Sequence, residues 1–211
     1  MTAKKTFTNP EIAQLLRNVA AVYEIKGNNR FKIIAYQRAA DSIEHASSEI
    51  KDFWDENQLG QISGIGKSIA AHLDELFKTG KVKHFEKLIS KLPPATFIFL
   101  NIPNIGPKTA YKLAKNLGIN QAKNAIQRLK KAAKQNKISH ISNFGAKSEQ
   151  KILEGIALMA KTKKREKRML LPYADQLAQE LIVYLKKSPA TLGAHPLGSL
   201  RRKVSTIGDI D

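Results

Sequence analysis

Apolar residues recur at helical spacing through most of the chain and predict a mainly α-helical protein. The first run begins at Asn9, the expected N-cap, has Pro10 at the first helical position and ends at Gly27. Four more helices are predicted before the double proline at 93–94. The first covers residues 31–45, the second begins after the expected caps Ser47 and Ser48, the third ends near Gly80, and the fourth covers residues 82–92.

The last part of the chain predicts one more helix and the first strands. Residues 172–187 keep the helical period, whereas residues 192–199 and 204–211 are the only strand candidates. The double proline is one candidate domain boundary. The lysine-rich run at 161–168 is a second, and is either a linker or the solvated end of a helix. We therefore expect domains at residues 1–92, 93–170 and 171–211.

Charge and composition narrow the classes of partner. The 211 residues include 36 Lys and Arg against 18 Asp and Glu, a net charge of +18, and residues 101–170 alone carry +14. Such a field attracts phosphate backbones. The alternatives are a solvated lysine-rich surface and an anionic membrane surface, but no segment has the bulky apolar face of an interfacial helix. The absence of cysteine excludes disulfides and thiol chemistry, and no apolar run could span a membrane or form a signal peptide, so we expect a cytoplasmic protein.

A short motif occurs three times, at residues 62–70, 102–110 and 141–149. Each copy has an apolar residue, a tight turn ending in glycine (Gly66, Gly106 or Gly145), and a lysine at the start of a helix. Glycine permits positive φ and close approach, so we expect positive φ in these turns, Gly66 and Gly106 included. Asn104 and Asn143 stand where the first copy has Gly64, and asparagine tolerates that conformation best among the other residues.

The motif suits a phosphate ligand. Amides at a helix N-terminus bind anions, and the lysines Lys67, Lys108 and Lys147 add charge-assisted contacts. The motif resembles the helix-hairpin-helix, which binds DNA backbone without reading sequence. That resemblance also implies K⁺ or Na⁺ held by backbone carbonyls, which in the first two copies would be those of Gly60, Ile62, Ile65, Leu100, Ile102 and Ile105.

A second signal lies at the end of the sequence. Gly198 and Ser199 precede Arg202, and Asp209 and Asp211 follow two positions apart. This pattern resembles the nucleotidyltransferase palm. Two carboxylates at i and i+2 on a strand share a face and can bind Mg²⁺ or Mn²⁺. Ser199 and Arg202 would then contact a nucleoside triphosphate. A chance acidic tail is the plain alternative.

Together the two signals resemble family X DNA polymerases, the gap-filling repair enzymes related to DNA polymerase beta, especially the bacterial and archaeal branch. The resemblance implies a lyase-type helix-hairpin-helix domain at 1–92, a fingers domain at 93–170 and the start of an α/β palm at 171–211. Lys32 and Tyr36 match positions of its 5′-phosphate pocket. It further implies deoxynucleoside triphosphate substrates, gapped or nicked DNA as partner, and a monomeric, nucleoid-associated enzyme.

Two departures from the family pattern bear on activity. The third carboxylate of family palms and the thumb are absent up to residue 211, so we expect this chain by itself to be an inactive fragment. His72 stands where lyase-active relatives carry the lysine that forms a Schiff base, and Ser68 replaces a second lysine, although Lys67 lies beside it. Lyase activity is therefore not expected. One alternative is a non-catalytic DNA-binding module. Another is an RNA-binding or ribosome-binding protein, which would explain the positive charge but not the palm signature.

Overall fold

The structure, a computed structural model, describes residues 7–165, 169–188, 190–208 and 210. The chain divides into two compact units, residues 1–156 and 157–211. The described residues are mainly helical, as the apolar spacing predicts. The helices that begin in the first unit are α1 (Asn9–Ile25), α2 (Arg30–Glu44), α3 (Ile50–Asp55), α4 (Lys67–Thr79), α5 (Lys83–Ile89), α6 (Ala95–Phe99), α7 (Pro107–Asn116), α8 (Ala125–Lys134) and α9 (Ala146–Arg165).

The start of α1 differs from the sequence prediction. Thr8, not Asn9, is the N-cap, and it forms a capping box in which its hydroxyl accepts the N–H of Glu11 while the Glu11 carboxylate accepts the N–H of Thr8. Asn9 instead reaches across the fold, where its Oδ1 accepts the N–H of Ile50 at 2.8 Å. Ser47 and Ser48 are consequently not the caps of α3. The N-cap there is Glu49, and Asn9 satisfies the first amide of the helix.

The remaining helix ends follow local sequence signals. Gly80 closes α4 in the left-handed conformation at φ +76°, as expected for a terminal glycine. The helix predicted at 82–92 is shorter, because α5 ends at Ile89, and Pro94 then caps α6. The double proline therefore separates two short helices. The domain division at 92/93 and 170/171 stays a prediction.

The main core lies under α1, which packs along α2 and also contacts α5 and α7. Ile12, Leu16 and Val19 of α1 are fully buried in it. At one end of this core, the ring of Tyr36 lies 5.4 Å from that of Tyr23 and 5.9 Å from that of Phe85. The helices α1, α2, α4 and α5 thus share one apolar core, which runs from Ile12 to Phe85 along the sequence.

The second unit combines α10 (Leu171–Leu185), α11 (Gly198–Arg201) and two short antiparallel strands, β1 (Met169–Leu170) and β2 (Thr206–Ile207). Ala174, Ala178, Leu200 and Ile207 form its small core. The strand predicted at 192–199 is wrong, because this segment is irregular and ends in the first residues of α11. Within 204–211 the described strand is limited to β2. No helix in the described parts of the chain is long and apolar enough to cross a membrane.

Candidate nucleic-acid interface

The three motif copies fold as three hairpins of the same geometry. We call residues 62–70 hairpin 1, residues 102–110 hairpin 2 and residues 141–149 hairpin 3. Each turn is closed by a hydrogen bond from the N–H of the fourth residue to the carbonyl of the first. These bonds are Ile65 to Ile62 (3.0 Å), Ile105 to Ile102 (3.1 Å) and Phe144 to Ile141 (2.9 Å). The repeat seen in the sequence is therefore a repeat of backbone structure.

The first small residue of each turn has a left-handed backbone. Gly64 has φ +82°, Asn104 +66° and Asn143 +69°, which confirms that asparagine substitutes for glycine at this position. In hairpin 1 the position is also crowded, because a Cβ on Gly64 would lie 3.3 Å from the Ser42 hydroxyl. Only glycine combines this φ with close contact to α2.

The second glycine of each turn has a different role from the one expected. Gly66 and Gly106 have φ −81° and −80°, so the expectation of positive φ at both is wrong. A Cβ on Gly66, Gly106 or Gly145 would meet no protein atom within 4 Å. Neither backbone conformation nor packing requires glycine at these three positions. Because glycine has no side chain, it leaves the N-terminus of the following helix open, so that a ligand can approach the backbone there.

The helices that follow Gly66 and Gly106 begin with backbone amides that no side chain caps. Gly66 and Gly106 are the N-caps of α4 and α7, and neither helix start has a side-chain cap. The first-turn N–H groups of such a helix carry a partial positive charge and donate hydrogen bonds to anions. Lys67, Lys108 and Lys147 are exposed in the same first turns, and within the described residues none of them forms an ion pair. Hairpins 1 and 2 thus present amides and an ammonium group to solvent, and hairpin 3 presents the ammonium group of Lys147.

Hairpins 2 and 3 border a common groove of about 390 Å³. Asn104 and Asn143 line it, and Lys108, Lys112 and Lys151 contribute three ammonium groups. Sequence reasoning missed Lys112 and Lys151. Both lie one helical turn after a predicted site residue, Lys108 or Lys147, on the same helix face, which is the signal that could have found them.

The third hairpin is held by a buried carboxylate. Glu149 is buried, and its Oε2 accepts the N–H groups of Ile138 and Ser139, both at 3.0 Å. These amides belong to the segment entering hairpin 3, so Glu149 connects that segment to α9. Both hydrogen bonds go to backbone amides, and within the described residues Glu149 forms no ion pair with a lysine of the groove.

The residues predicted to bind a monovalent cation lie in the turns of hairpins 1 and 2. The carbonyls of Ile62 and Ile102 each already accept one turn hydrogen bond, which leaves one further lone pair on each oxygen. Gly60 lies in the 3₁₀ turn Leu59–Gln61, Leu100 follows α6, and the side chains of Ile65 and Ile105 are buried. Cation binding there stays a prediction.

The two residues matched to a 5′-phosphate pocket lie at different depths. Lys32 is exposed, and its Nζ lies 4.4 Å from the centroid of the Tyr23 ring. Tyr36 is 3% exposed, and the pKa of its hydroxyl is raised, chiefly by burial. Lys32 is thus placed to meet a ligand from solvent, whereas Tyr36 is buried among other rings. We call these rings the aromatic cluster: Tyr23, Tyr36, His72, His84 and Phe85.

His72 belongs to the same cluster and is stacked on a second histidine. The ring centroids of His72 and His84 are 5.4 Å apart with planes 3° from parallel, and His84 Nε2 lies 2.8 Å from the Tyr23 hydroxyl. The pKa of His72 is lowered, first by burial and then by the charges of His84 and Lys32, against an opposing effect of Glu75. Sequence reasoning missed His84 and Tyr23, because no spacing signal connects α4 to α1 and α5.

The palm signature is only partly within the described residues. Asp209 and Asp211, the predicted metal ligands, lie outside them. Gly198 and Ser199 begin the short helix α11, and Arg202 follows it as an exposed C-cap residue. In the described part of the chain, no three side chains of the metal-ligating types cluster.

Comparison with known proteins agrees with this geometry. A family described as "Helix-hairpin-helix domain" matches residues 7–82, and one described as "SAM-like Helix-hairpin-helix tandem" matches residues 98–157. The chain is 32% identical over 95% of its length to the "DNA polymerase/3'-5' exonuclease PolX" of Bacillus subtilis. It is 28% identical over half of its length to "DNA polymerase lambda" of Arabidopsis thaliana.

The similarity covers only part of each relative. The aligned residues span 34% of the Bacillus protein and 19% of the Arabidopsis protein. The resemblance to family X DNA polymerases inferred from the sequence motifs is nevertheless confirmed over nearly the whole of this chain. The helix-hairpin-helix assignment is confirmed for both matched segments.

Proposed function

We propose that this chain is the DNA-gripping part of a family X DNA polymerase and binds gapped or nicked duplex without sequence preference. The observation that carries the proposal is the open approach to each helix start at Gly66, Gly106 and Gly145, repeated in three hairpins of one geometry. In this proposal a phosphate oxygen occupies each approach. The chain acts as a monomer, in the cytoplasm and on the nucleoid.

Sequence independence follows from the groups that make the contacts. Backbone amides and the ammonium groups of Lys67, Lys108 and Lys147 can reach phosphate oxygens, which are the same at every base pair. The exposed side chains of the turns are short, and Asn104 and Asn143 are placed by their left-handed backbone rather than by a groove of the duplex. A K⁺ or Na⁺ ion on the turn carbonyls would lie beside the same phosphate and supply further positive charge.

The proposed reaction of the complete enzyme is nucleotidyl transfer to a 3′-hydroxyl, which fills a gap during DNA repair. Asp209 and Asp211 provide the oxygen donors that Mg²⁺ or Mn²⁺ prefers, so the donor chemistry fits. Bound divalent ions supply charge neutralisation at the triphosphate. Arg202 and Ser199 contact triphosphate oxygens, and Gly198 allows the backbone to approach them.

The lyase activity found in some family X members is not part of the proposal. An imidazole at position 72 cannot form the imine that such chemistry needs. Lys32 remains available to a 5′-phosphate at the surface of the aromatic cluster. We therefore assign the cluster around His72 to binding a DNA end rather than to cleaving an abasic sugar.

A non-catalytic binding module is the second candidate, because the open hairpins all lie within residues 62–149 and do not need the palm. The two candidates differ in one measurement. In a chain continued through a palm and thumb, Asp209→Ala should abolish primer extension across a gap and leave DNA binding intact. Absence of extension by the unaltered continued chain would favour the binding module.

The DNA-binding proposal is tested by titrating a gapped duplex from low to moderate salt. The logarithm of the affinity should fall linearly with the logarithm of the salt concentration, with a slope of several units because several phosphates are contacted. Two gapped duplexes of unrelated sequence should give the same curve. A flat salt dependence, or strong preference for one sequence, would contradict the proposal.

A further inference from the structure

The surface of α8 carries cations that the hairpins do not use. Arg128, Lys130, Lys131 and Lys134 are exposed on this helix, whereas Leu129 and three alanines form its buried side. In the described residues none of the four cations has a carboxylate partner, and Arg128 Nη2 lies 3.5 Å from the carbonyl oxygen of Gly118. We call these four residues the α8 face.

Acidic residues are absent from the stretch of sequence that carries this face. The sequence contains no Asp or Glu between Glu86 and Glu149, and Glu149 is buried on the amides of Ile138 and Ser139. Like charges three and four residues apart on a helix repel, and the α8 face contains such pairs at 128/131, 131/134 and 130/134. The positive charges of Lys131 and Lys134 interact favourably with the partial negative charge at the C-terminus of α8. Arg128 and Lys130 lie too far from that end for the same stabilisation.

The Arg128 and Lys131 side of the α8 face lies at the far end of α7 from hairpin 2. Arg128 and Lys131 line a depression together with Leu117 and Ile119, which follow the C-terminal end of α7. The turn of hairpin 2 lies at the other end of α7, a helix of 10 residues and therefore about 15 Å long. A phosphate held at hairpin 2 therefore does not occupy the α8 face.

We propose that the α8 face is a second contact for duplex DNA, which extends the footprint beyond the three hairpins. The ligand is the sugar–phosphate backbone, because a row of unpaired cations without acids or exposed aromatic rings matches a regular polyanion. The inference rests on the proposed DNA-binding function. It adds a surface that the hairpin motif does not contain.

The first test removes two charges from this face. Lys130 and Lys134 line one depression on α8, so Lys130→Gln combined with Lys134→Gln should lower the salt slope for a gapped duplex by about 1.8, or 0.9 for each phosphate that is no longer neutralised. Lys186→Gln combined with Lys187→Gln removes the same charge after α10 and should leave the slope unchanged. An unchanged slope in the α8 variant, or an equal decrease in both variants, would overturn the proposal.

The second test locates the DNA. The chain has no cysteine, so a single introduced cysteine can carry a tethered iron chelate that cuts nearby DNA backbone. Lys134→Cys should cut the duplex at positions displaced along its axis from those cut by Lys108→Cys in hairpin 2. Cutting from position 108 alone would refute the α8 contact and leave the hairpin proposal standing. Absence of cutting from both positions, with a flat salt dependence of the unaltered chain, would refute the proposed function itself.

Discussion

A Cβ on Gly155 would lie only 2.9 Å from the carbonyl oxygen of Pro103 and 2.8 Å from the side chain of Ile102, so α9 crosses the turn of hairpin 2 at a distance that only glycine permits. Gly155 is buried in the middle of α9, the helix that begins in hairpin 3. This contact fixes hairpin 3 against hairpin 2. The shared groove between the two hairpins therefore depends on a residue that does not line it.

Gly155→Ala should accordingly destabilise the protein. The added methyl group overlaps a backbone oxygen that cannot rotate away, and overpacking of this kind costs about 1 to 3 kcal/mol of unfolding free energy. Denaturant titration measures the change. Gly60→Ala is the matched control, because a methyl group there meets no atom within 4 Å and Gly60 is not a helix cap. Equal stability of Gly155→Ala and the unaltered chain would show that α9 can shift away from the turn.

Gly106→Val should weaken DNA binding without altering the fold. The backbone of Gly106 is extended, so valine is tolerated, but its side chain would cover the amides at the start of α7. Excluding one phosphate from these amides should reduce affinity for a gapped duplex roughly tenfold, or about 1.4 kcal/mol. The thermal midpoint should stay within a few degrees of the unaltered chain. A parallel decrease in stability and affinity would instead indicate a structural role for this glycine.

Features that depend on neighbouring residues can be predicted from the sequence. The helical period, the terminal glycine at Gly80 and the left-handed asparagines at 104 and 143 each depend on a few neighbouring residues. Features caused by distant contacts were missed or placed wrongly. The local sequence predicts Asn9 as the N-cap of α1, but its side chain accepts the N–H of Ile50, 41 positions away. Gly155 and the stacked pair of His72 and His84 likewise exist only because separate helices meet.

The stability of the protein should depend on pH through His72. Its pKa is lowered in the folded state, so the unfolded chain takes up a proton on this residue at a higher pH than the folded chain does. The unfolding free energy should therefore fall as the pH decreases through about 6.5, the ordinary histidine value, and level off below the lower folded pKa. His72→Gln should flatten this part of the profile, whereas His195→Gln, in the second unit, should not. An unchanged profile in His72→Gln would show that another group causes the dependence.

The surroundings of His72 also predict what a lysine would do there. His72 is half-buried, with its ring centroid 4.8 Å from that of Phe85, and Lys32 adds a nearby positive charge. Burial and a neighbouring cation both lower the pKa of an amine, which makes it a better nucleophile at neutral pH. In His72→Lys the amine would attack the aldehyde carbon of an incised abasic site, water would leave, and borohydride would reduce the resulting imine to a stable adduct.

His72→Lys should therefore give more borohydride-trapped DNA than the unaltered chain. Ala71→Lys is the matched control, because it adds a lysine one residue away at an exposed position outside the aromatic cluster. Equal trapping by the two variants would mean that the cluster does not receive the sugar. Strong trapping by the unaltered chain would mean that an existing lysine, with Lys67 the first to test, already acts as the nucleophile, and the assignment of this cluster to binding alone would be wrong.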